Sequence, residues 1–418
     1  MKRFAPAVAL GVAAALVSFS APAQNINIAL IEPLSGPFAN VGDQFLKEFQ
    51  FSLEKINARG GVLGGRKLEM IGFDNKGSPQ EALNQFKRVV DQDIRFISQG
   101  NSSAVAGALI EAVNRHNERN PGKEILFLNH SAVDPAFTND KCSFWHFRFD
   151  ANVDMKMEGL TTWMAQNKNI KKVYLINQDY SFGHAVKKAA REMLGRKRSD
   201  VQFVGDELHP IGKVTDFAPY VAKIKQSGAE SVITGNWGND MSLLIKAAKD
   251  AGLNVDWYTY YAGGLGTPTA MGDAAAGKVK IIAEYHANVT PNKVAKHDAE
   301  FRKKYEKEKL DWYYLRAKLM FDMFAEAINN AKSAEPKAVA LALEGMKFQG
   351  DMGEVEMRKQ DHQLIQPLFL MTMHKSAAKG GPKEAKIDQE GSGLAMTTDA
   401  RLEGYITATP TSCSMKRP

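Results

Sequence analysis

The chain has 418 residues, 54 lysines and arginines, 47 acidic residues, a formal net charge of +7 and two cysteines. This basic excess is small, and its densest stretches, Lys187–Arg191 and Arg196–Arg198, surround a helix that also carries Glu192. We interpret them as a solvated face, which argues against nucleic-acid binding because that function favours a clustered basic stripe. The length suggests about two domains of roughly 150–200 residues each.

The first 23 residues have the pattern of a secretory signal peptide. Lys2 and Arg3 precede the apolar run Val8–Val17, and Ala21-Pro22-Ala23 forms an A-x-A cleavage site. The run is too short for a bilayer-spanning anchor, and no cysteine follows the cleavage site for a lipid anchor. We therefore expect an exported, soluble mature chain that starts at Gln24 and carries a net charge of +5.

The mature chain opens with alternating strands and helices. Its predicted elements are, in order, a strand, a turn, a helix with apolar residues at three- and four-residue spacing, a second strand and a second helix: Ile26–Ile31, Ser35–Pro37, Phe45–Ile56, Leu68–Phe73 and Glu81–Val90. This order predicts an α/β fold with parallel sheets flanked by helices. In such sheets ligands bind at loops beyond the carboxyl ends of the strands.

The order of elements repeats after Arg148. Predicted strands alternate with predicted helices in the sequence Val173–Ile176, Ala185–Leu194, Phe203–Asp206, Ala218–Gln226, Ser231–Thr234 and Met241–Ala251. The first half has a matching third strand at Arg95–Ser98. We interpret this repeated order of strands and helices as two similar α/β units joined by crossovers.

Three motifs near the mature N-terminus carry a family resemblance. They are L-S-G-P-F-A-x-V-G at Leu34–Gly42, I-N-A-R-G-G-V-L-G-G-R-K-L-E at Ile56–Glu69, and D-N-K-G-S-P-Q-E-A at Asp74–Ala82. The chain here resembles the periplasmic leucine/isoleucine/valine-type substrate-binding proteins of ABC transporters, and a weaker likeness continues to about residue 373. The resemblance implies the type I periplasmic-binding-protein fold, in which two lobes close on a ligand like a Venus flytrap.

That fold implies three hinge crossings between the lobes, which we place near Phe147–Ala151, Ile282–Ala287 and Gly350–Glu356. Lobe 1 then comprises residues 24–148 and 286–350, and lobe 2 comprises residues 149–285 and 351–374. Residues 375–418, rich in Gly, Ser, Thr and Lys, are expected to form an irregular wrap.

Two loops of lobe 1 are candidate ligand-binding segments. Asn101, Ser102 and Ser103 follow a strand and open a helix, where free N–H groups and the helix dipole form an anion site; an ordinary N-cap is the alternative. The resemblance implies that serine in this loop holds the ligand carboxylate. The second loop contains His130, Ser131 and Val133, and relatives carry a ligand-binding threonine where Val133 stands.

Three loops of lobe 2 are expected to face the same cleft. By resemblance, Phe182 and Trp237 form aromatic walls, and Tyr261 lies where many amino-acid receptors carry an acid for the α-ammonium group. No Asp or Glu occurs there. Since an unpaired buried charge is costly, either another acid supplies the charge (Asp240, Asp150 or Asp179) or the ligand is an aromatic or aliphatic carboxylate without an ammonium group.

Sequence motifs that would indicate an enzyme are incomplete in this chain. Gly272–Lys278 copies G-x-x-x-x-G-K but is followed by Val279 in place of the Ser or Thr that binds magnesium. We therefore expect no enzyme, no cofactor and no metal. The resemblance implies a monomeric receptor that captures a branched-chain amino acid or a similar small carboxylate, with inner-membrane permease subunits as partners. The alternatives are a sensor subunit and a secreted α/β hydrolase that uses Ser102 or Ser131.

The two cysteines, Cys142 and Cys413, form an even count in an exported chain, which favours a disulfide. The relatives carry a short-range disulfide in the first lobe, and this chain departs from that pattern. The prediction is a Cys142–Cys413 bridge, with two unpaired buried thiols as the alternative.

Overall fold

A computed structural model describes residue 1 and residues 24–418. The predicted signal peptide therefore lies, apart from Met1, outside the described residues. Within residues 24–418, no helix combines the length and the apolar character that a membrane crossing requires.

The described residues form α-helices and β-strands that alternate along most of the chain. The strands are β1 Ile26–Glu32, β2 Leu68–Asp74, β3 Phe96–Gln99, β4 Leu126–Asn129, β5 His146–Arg148, β6 Lys172–Gln178, β7 Gln202–His209, β8 Ser231–Thr234, β9 Asp256–Thr259, β10 Val279–Ala283, β11 Lys347–Gly350, β12 Gly353–Met357, β13 Leu364–Ile365, β14 Leu368–Lys375 and β15 Leu394–Leu402. The helices are α1 Ala39–Ala58, α2 Pro79–Asp91, α3 Ser103–Arg119, α4 Val153–Gln166, α5 Ser181–Lys197, α6 Ala218–Gln226, α7 Gly238–Asp250, α8 Thr267–Met271, α9 Ala295–Lys304, α10 Leu315–Ala331, α11 Pro336–Leu343 and α12 Gly404–Thr407.

The first sheet is parallel and has the order β2-β1-β3-β4-β5. Its strand β1 pairs with β2 on one side and β3 on the other, so that Ile28 lies opposite both Met70 and Phe96. Residues 28–32 of β1 are all buried, as expected of a parallel strand with helices on both faces. We call the part of the chain built on this sheet lobe 1.

The second sheet, which defines lobe 2, has the order β15-β14-β10-β9-β8-β6-β7. Strands β6 to β10 are parallel, β14 runs antiparallel to β10, and the edge strand β15 runs antiparallel to β14. Both sheets confirm the predicted mixed α/β fold with mainly parallel sheets. Two helices begin earlier than predicted: α5 begins at Ser181 rather than Ala185, and α7 begins at Gly238 rather than Met241.

Part of the tail that was expected to be irregular forms a regular strand. Residues 394–402 form β15, which pairs along its length with β14. Only Leu394, Ala395 and Met396 are buried, and the other six residues of the strand are partly or fully exposed. An edge strand with so short an apolar stretch gives little periodic signal in the sequence.

The predicted third crossing at Gly350–Glu356 was also wrong. That segment forms a hairpin of β11 and β12 in a separate three-stranded sheet with β13, and the chain enters the lobe 2 sheet only after Ile365. There Gln366 Nε2 donates to the Phe149 carbonyl over 2.7 Å. The first and third crossings therefore lie side by side, while the residue-level lobe boundaries remain a proposal.

The predicted disulfide between Cys142 and Cys413 is present, with its Cα atoms 5.8 Å apart. It fixes the end of the tail to the loop that precedes β5. Next to it, the Ser412 amide donates to Asn139 Oδ1 over 2.9 Å. The tail therefore contacts both lobes: β15 pairs within the lobe 2 sheet, and the chain end that follows it is held to lobe 1.

The tail joins the two lobes a second time through Glu390. Its carboxylate accepts hydrogen bonds from the amides of Gly266 and Thr269 at the start of α8 in lobe 2. It also accepts one from the Tyr313 hydroxyl, which precedes α10, over 2.8 Å. The Glu390 amide donates to Asp311 over 2.8 Å, so this single residue binds both sides of the interlobe cleft.

Candidate ligand-binding site

A cleft lies between the two sheets, at the carboxyl ends of strands from both lobes. Eight of the nine predicted site residues line it: Asn101, Ser102, Ser103, Ser131, Val133, Phe182, Trp237 and Tyr261. The ninth, His130, is fully buried directly behind Ser131. The cleft also contains residues that the sequence reasoning missed, among them Phe45, Tyr180, Tyr314 and Arg316.

The loop before α3 presents hydrogen-bond donors to the cleft. Ser102 has φ 89°, a strained value for a residue with a side chain, and its hydroxyl makes no capping bond to the helix. The amide nitrogen Nδ2 of Asn101 is buried without a partner. A simple N-cap would use these groups internally, so their availability favours a ligand acceptor at the N-terminus of α3.

Behind this loop, a chain of hydrogen bonds fixes His130 and Ser131. Glu32 Oε1 accepts bonds from the Gly100 amide at 2.6 Å and from His130 Nε2 at 2.8 Å. His130 Nδ1 lies 3.0 Å from the Ser131 hydroxyl. Burial lowers the pKa of His130, although Glu32 acts to raise it. A neutral ring that donates from Nε2 and accepts at Nδ1 satisfies every contact.

Arg316 is the cation of the cleft. It donates to the His130 carbonyl at 2.7 Å, to the Ser131 hydroxyl at 2.9 and 3.0 Å, and to Glu284 at 2.7 Å. Its guanidinium group also lies 4.4 Å from the ring centroid of Tyr314. Burial acts to lower the pKa of Arg316, but Glu284 and Asp150 together raise it above its usual value, so the side chain stays charged.

A signal for Arg316 was present in the sequence. It lies in the first turn of α10, between the buried residues Leu315 and Ala317, with further buried residues at Leu319 and Met320. A lone arginine within an apolar stripe must find partners elsewhere in the fold. The sequence alone does not show which loops those partners occupy.

None of the three acids considered for a ligand ammonium group offers a free carboxylate to the cleft. Asp150 is paired with Lys156 at 2.8 Å, and Asp240 accepts bonds from Gln178 at 2.7 Å and from the Gly212 amide at 2.9 Å. Asp179 is exposed beside a histidine. Over residues 24–418, the cleft lining includes a cation and several neutral donors but no Asp or Glu.

The aromatic wall of the cleft comes mainly from lobe 2. Trp237 directly precedes α7, and its Nε1 donates to the Tyr180 hydroxyl over 2.8 Å. Phe182 lies in the first turn of α5, with its ring centroid 6.1 Å from that of Tyr261. These rings give the cleft an apolar surface opposite the donors of lobe 1.

Phe38 reaches from lobe 1 into lobe 2. It directly precedes α1, and its ring centroid lies 4.4 Å from that of Trp237. Gly212 and Gly238 flank the ring, and a Cβ atom at either position would lie 2.8 or 2.9 Å from it. We call this arrangement the Phe38 socket. It requires the lobes to be together, so the structure is a closed state.

We expect Phe38→Ala to weaken ligand binding by about 10- to 100-fold, because the closed state loses a packed ring that the open state does not bury. The melting temperature of the ligand-free protein should change little. Titration calorimetry and thermal melting check both values, with Phe38→Leu as a control that keeps part of the contact. Wild-type affinity in the alanine variant would contradict a role in closure.

A cleft that closes between two α/β lobes defines a solute-binding receptor. The chain belongs to the periplasmic binding protein family, which matches residues 25–381. It is 35% identical over 426 residues to Leu/Ile/Val-binding protein homolog 4 of Brucella abortus, covering 98% of each chain.

Two solved structures show the same fold. The closed leucine-, isoleucine-, valine-, threonine- and alanine-binding protein of Brucella ovis is 31% identical, with a TM-score of 0.80, over 95% of this chain and all of that one. An ABC transporter solute-binding protein of Rhodopseudomonas palustris, solved with 3,4-dihydroxybenzoic acid, is 18% identical, with a TM-score of 0.77, over 91% and 98% of the two chains. At that identity the second likeness concerns the fold alone.

Proposed function

We propose that the protein is the periplasmic receptor of an ABC importer and captures a branched-chain amino acid or a similar small carboxylate. The observation that carries this proposal is the set of donors at one end of the cleft. Asn101 Nδ2, Ser102, Ser103 and Arg316 all line it, and together they form a site for a carboxylate. Permease subunits in the inner membrane are the expected partners of the closed form.

The remainder of the cleft suits an apolar group. Phe182, Trp237 and Tyr261 line it from lobe 2, with Val133 opposite. A branched aliphatic side chain gains roughly 1.5–3 kcal/mol when it is fully removed from water. The α-ammonium group of an amino acid has aromatic faces available to it, an interaction of about 0.5–2 kcal/mol. The names of the two Brucella relatives favour this class of ligand.

An aromatic carboxylate is the second candidate, and it is favoured because the part of the chain that the structure describes contributes no acidic residue to the cleft lining. Such a ligand carries no ammonium group, so it needs no buried anion beside Tyr261. Its ring would pack against Trp237 and Phe182. A thermal-shift screen separates the two candidates.

In that screen the purified protein is heated with leucine, isoleucine, valine, threonine or alanine, and in parallel with benzoate and hydroxybenzoates. A ligand at 100 times its Kd stabilises the folded state by about 2.7 kcal/mol. Shifts with the aliphatic amino acids support the first candidate, and shifts confined to benzoates support the second. No shift with either class would count against both.

A serine does lie beside a base in this cleft, as the hydrolase alternative requires. The contacts around that serine, however, favour a structural role. The Ser131 hydroxyl lies 3.0 Å from His130, and Arg316 donates two hydrogen bonds to the same oxygen. Those bonds occupy the lone pairs that a nucleophile needs and oppose its activation. We propose that Glu32, His130 and Ser131 hold Arg316 in position. Hydrolysis of ester substrates that is lost in Ser131→Ala would overturn this assignment.

We expect Asn101→Ala to weaken binding of the ligand found in the screen by roughly 1–3 kcal/mol, since the carboxylate loses a donor in a buried site. Asn84 offers a matched control, because it is exposed on α2 and its Nδ2 donates to Glu81 over 3.2 Å. Asn84→Ala should keep wild-type affinity. Equal Kd values for the two variants, measured by calorimetry, would remove Asn101 from the binding site.

A further inference from the structure

Tyr180 places a hydroxyl group from lobe 2 at the cleft. It directly precedes α5 and lines the cleft together with Phe182 and Trp237. Trp237 Nε1 donates to this hydroxyl over 2.8 Å, and within residues 24–418 the proton of the hydroxyl has no acceptor. Because a phenol can donate one hydrogen bond while it accepts another, this donor is available to a ligand.

The other polar side chains that line the cleft from lobe 2 are already engaged. The indole N–H group of Trp237 bonds to Tyr180. The Tyr261 hydroxyl lies 3.4 Å from the Lys156 ammonium group and 3.4 Å from the Asp150 carboxylate. In the part of the chain that the structure describes, the remaining side chains of this wall are apolar. Tyr180 is therefore the side-chain donor that lobe 2 brings to the closed cleft.

The position of the Tyr180 hydroxyl is fixed by its neighbours. Its ring centroid lies 5.8 Å from that of Phe182. Trp237, which bonds to the hydroxyl, packs against Phe38 in the Phe38 socket. Because the indole N–H group occupies one side of the phenol oxygen, the phenol proton must point away from Trp237. Closure of the lobes thus sets both the place and the direction of this donor.

The Tyr180 hydroxyl stays protonated and so remains a donor. Burial raises the pKa of this phenol, although the hydrogen bond from Trp237 acts to lower it. The negative charges of Asp240 and Asp134 raise the pKa further. The cleft therefore presents a neutral donor from lobe 2.

Lobe 1 holds enough donors for a ligand carboxylate without Tyr180. Asn101, Ser102, Ser103 and Arg316 all line the cleft, and together they can bond to both carboxylate oxygens. Tyr180 approaches from the opposite lobe. An acceptor for its proton is then a second polar atom, on the side of the ligand that faces lobe 2.

We propose that Tyr180 is a specificity-determining residue, which donates a hydrogen bond to an oxygen atom that the ligand carries in addition to its carboxylate. The favoured ligand is then a small carboxylate with a hydroxyl or carbonyl group on its lobe 2 side. This inference rests on the proposed receptor function and narrows the ligand class of the same site. An analogue without this oxygen leaves the phenol proton unpaired in the closed cleft, which weakens binding.

Two pairs of compounds test this role, because the members of each pair differ by a hydroxyl group in place of a methyl group. They are threonine and valine, and 4-hydroxybenzoate and 4-methylbenzoate. For the wild-type protein, calorimetry should show the hydroxyl compound binding about 10-fold more tightly in at least one pair. The pair that shows the preference identifies an aliphatic or an aromatic ligand.

Tyr180→Phe keeps the ring and removes the donor. It should bring the affinity ratio of that pair close to one, mainly by weakening the binding of the hydroxyl compound. Tyr405 is 79% exposed on α12, so Tyr405→Phe is the matched control and should retain the wild-type ratio.

A wild-type ratio near one in both pairs overturns the proposal, as does a preference that survives in Tyr180→Phe. An equal loss of affinity for both members of a pair also overturns it, because Tyr180 would then only support Trp237. If valine or 4-methylbenzoate binds as tightly as its hydroxyl partner in both pairs, the receptor function stands and the role of Tyr180 is wrong. If none of the four compounds binds, the proposed ligand class and the role of Tyr180 are both rejected.

Discussion

Replacing Arg316 with methionine should abolish detectable ligand binding and lower the free energy of unfolding by about 3–5 kcal/mol. The side chain is 3% exposed, and its loss leaves Glu284 buried without its partner and Ser131 without two donors. Methionine fills a similar volume, so the expected loss reflects charge and hydrogen bonding rather than a cavity.

Arg316→Lys is the matched control for this prediction. Lysine keeps the positive charge but cannot reach Ser131, the His130 carbonyl and Glu284 at once. We expect it to recover most of the stability and only part of the affinity. Urea unfolding measures the first quantity and calorimetry the second. A methionine variant that binds at wild-type affinity would exclude Arg316 from the carboxylate site.

Removing the disulfide should have an effect of similar size on stability. Cys142 and Cys413 are 271 residues apart in sequence, and a cross-link over so long a loop stabilises the folded state by roughly 4–5 kcal/mol in the chain-entropy account. The double variant Cys142→Ser/Cys413→Ser should therefore melt at a lower temperature. Its tail should become more susceptible to protease after Leu402, where the β15 pairing ends.

The control is the wild-type protein treated with a reductant, which should unfold at the same urea concentration as the double serine variant. Thiol titration of the unfolded, unreduced wild type should find no free thiol. If the double variant and the oxidised wild type unfold at the same concentration, the cross-link contributes nothing to stability.

The sequence predicted the elements of the fold where a periodic apolar signal lies within one segment. The helix Ala218–Gln226 and the strand Ser231–Thr234 have the predicted ends. The position of the loop at Asn101–Ser103, between β3 and α3, was predictable as well, because a strand followed by a polar helix start has a defined place in a parallel sheet. In each case the signal is local.

The missed features depend on contacts between distant segments. Arg316 bonds to Ser131 across 185 residues of sequence, and Gln389 reaches the Gly263 carbonyl only because the tail folds back to α8. The strand β15 forms because an edge of the lobe 2 sheet is available to it, not because its own pattern is strong. Pairing of this kind becomes visible only in the folded chain.

The Phe38 socket has a consequence for how the receptor reports its state. A rigid ring between two glycine positions fits at one interlobe angle and clashes or separates at others. Closure should therefore have one end point rather than a range. A solute too large for the cleft would hold the ring out of its socket, so it would occupy the receptor without producing the shape that a transport partner recognises. Binding of a solute in the cleft and its delivery to the transport partner are then separate events, and the receptor selects its solute at both.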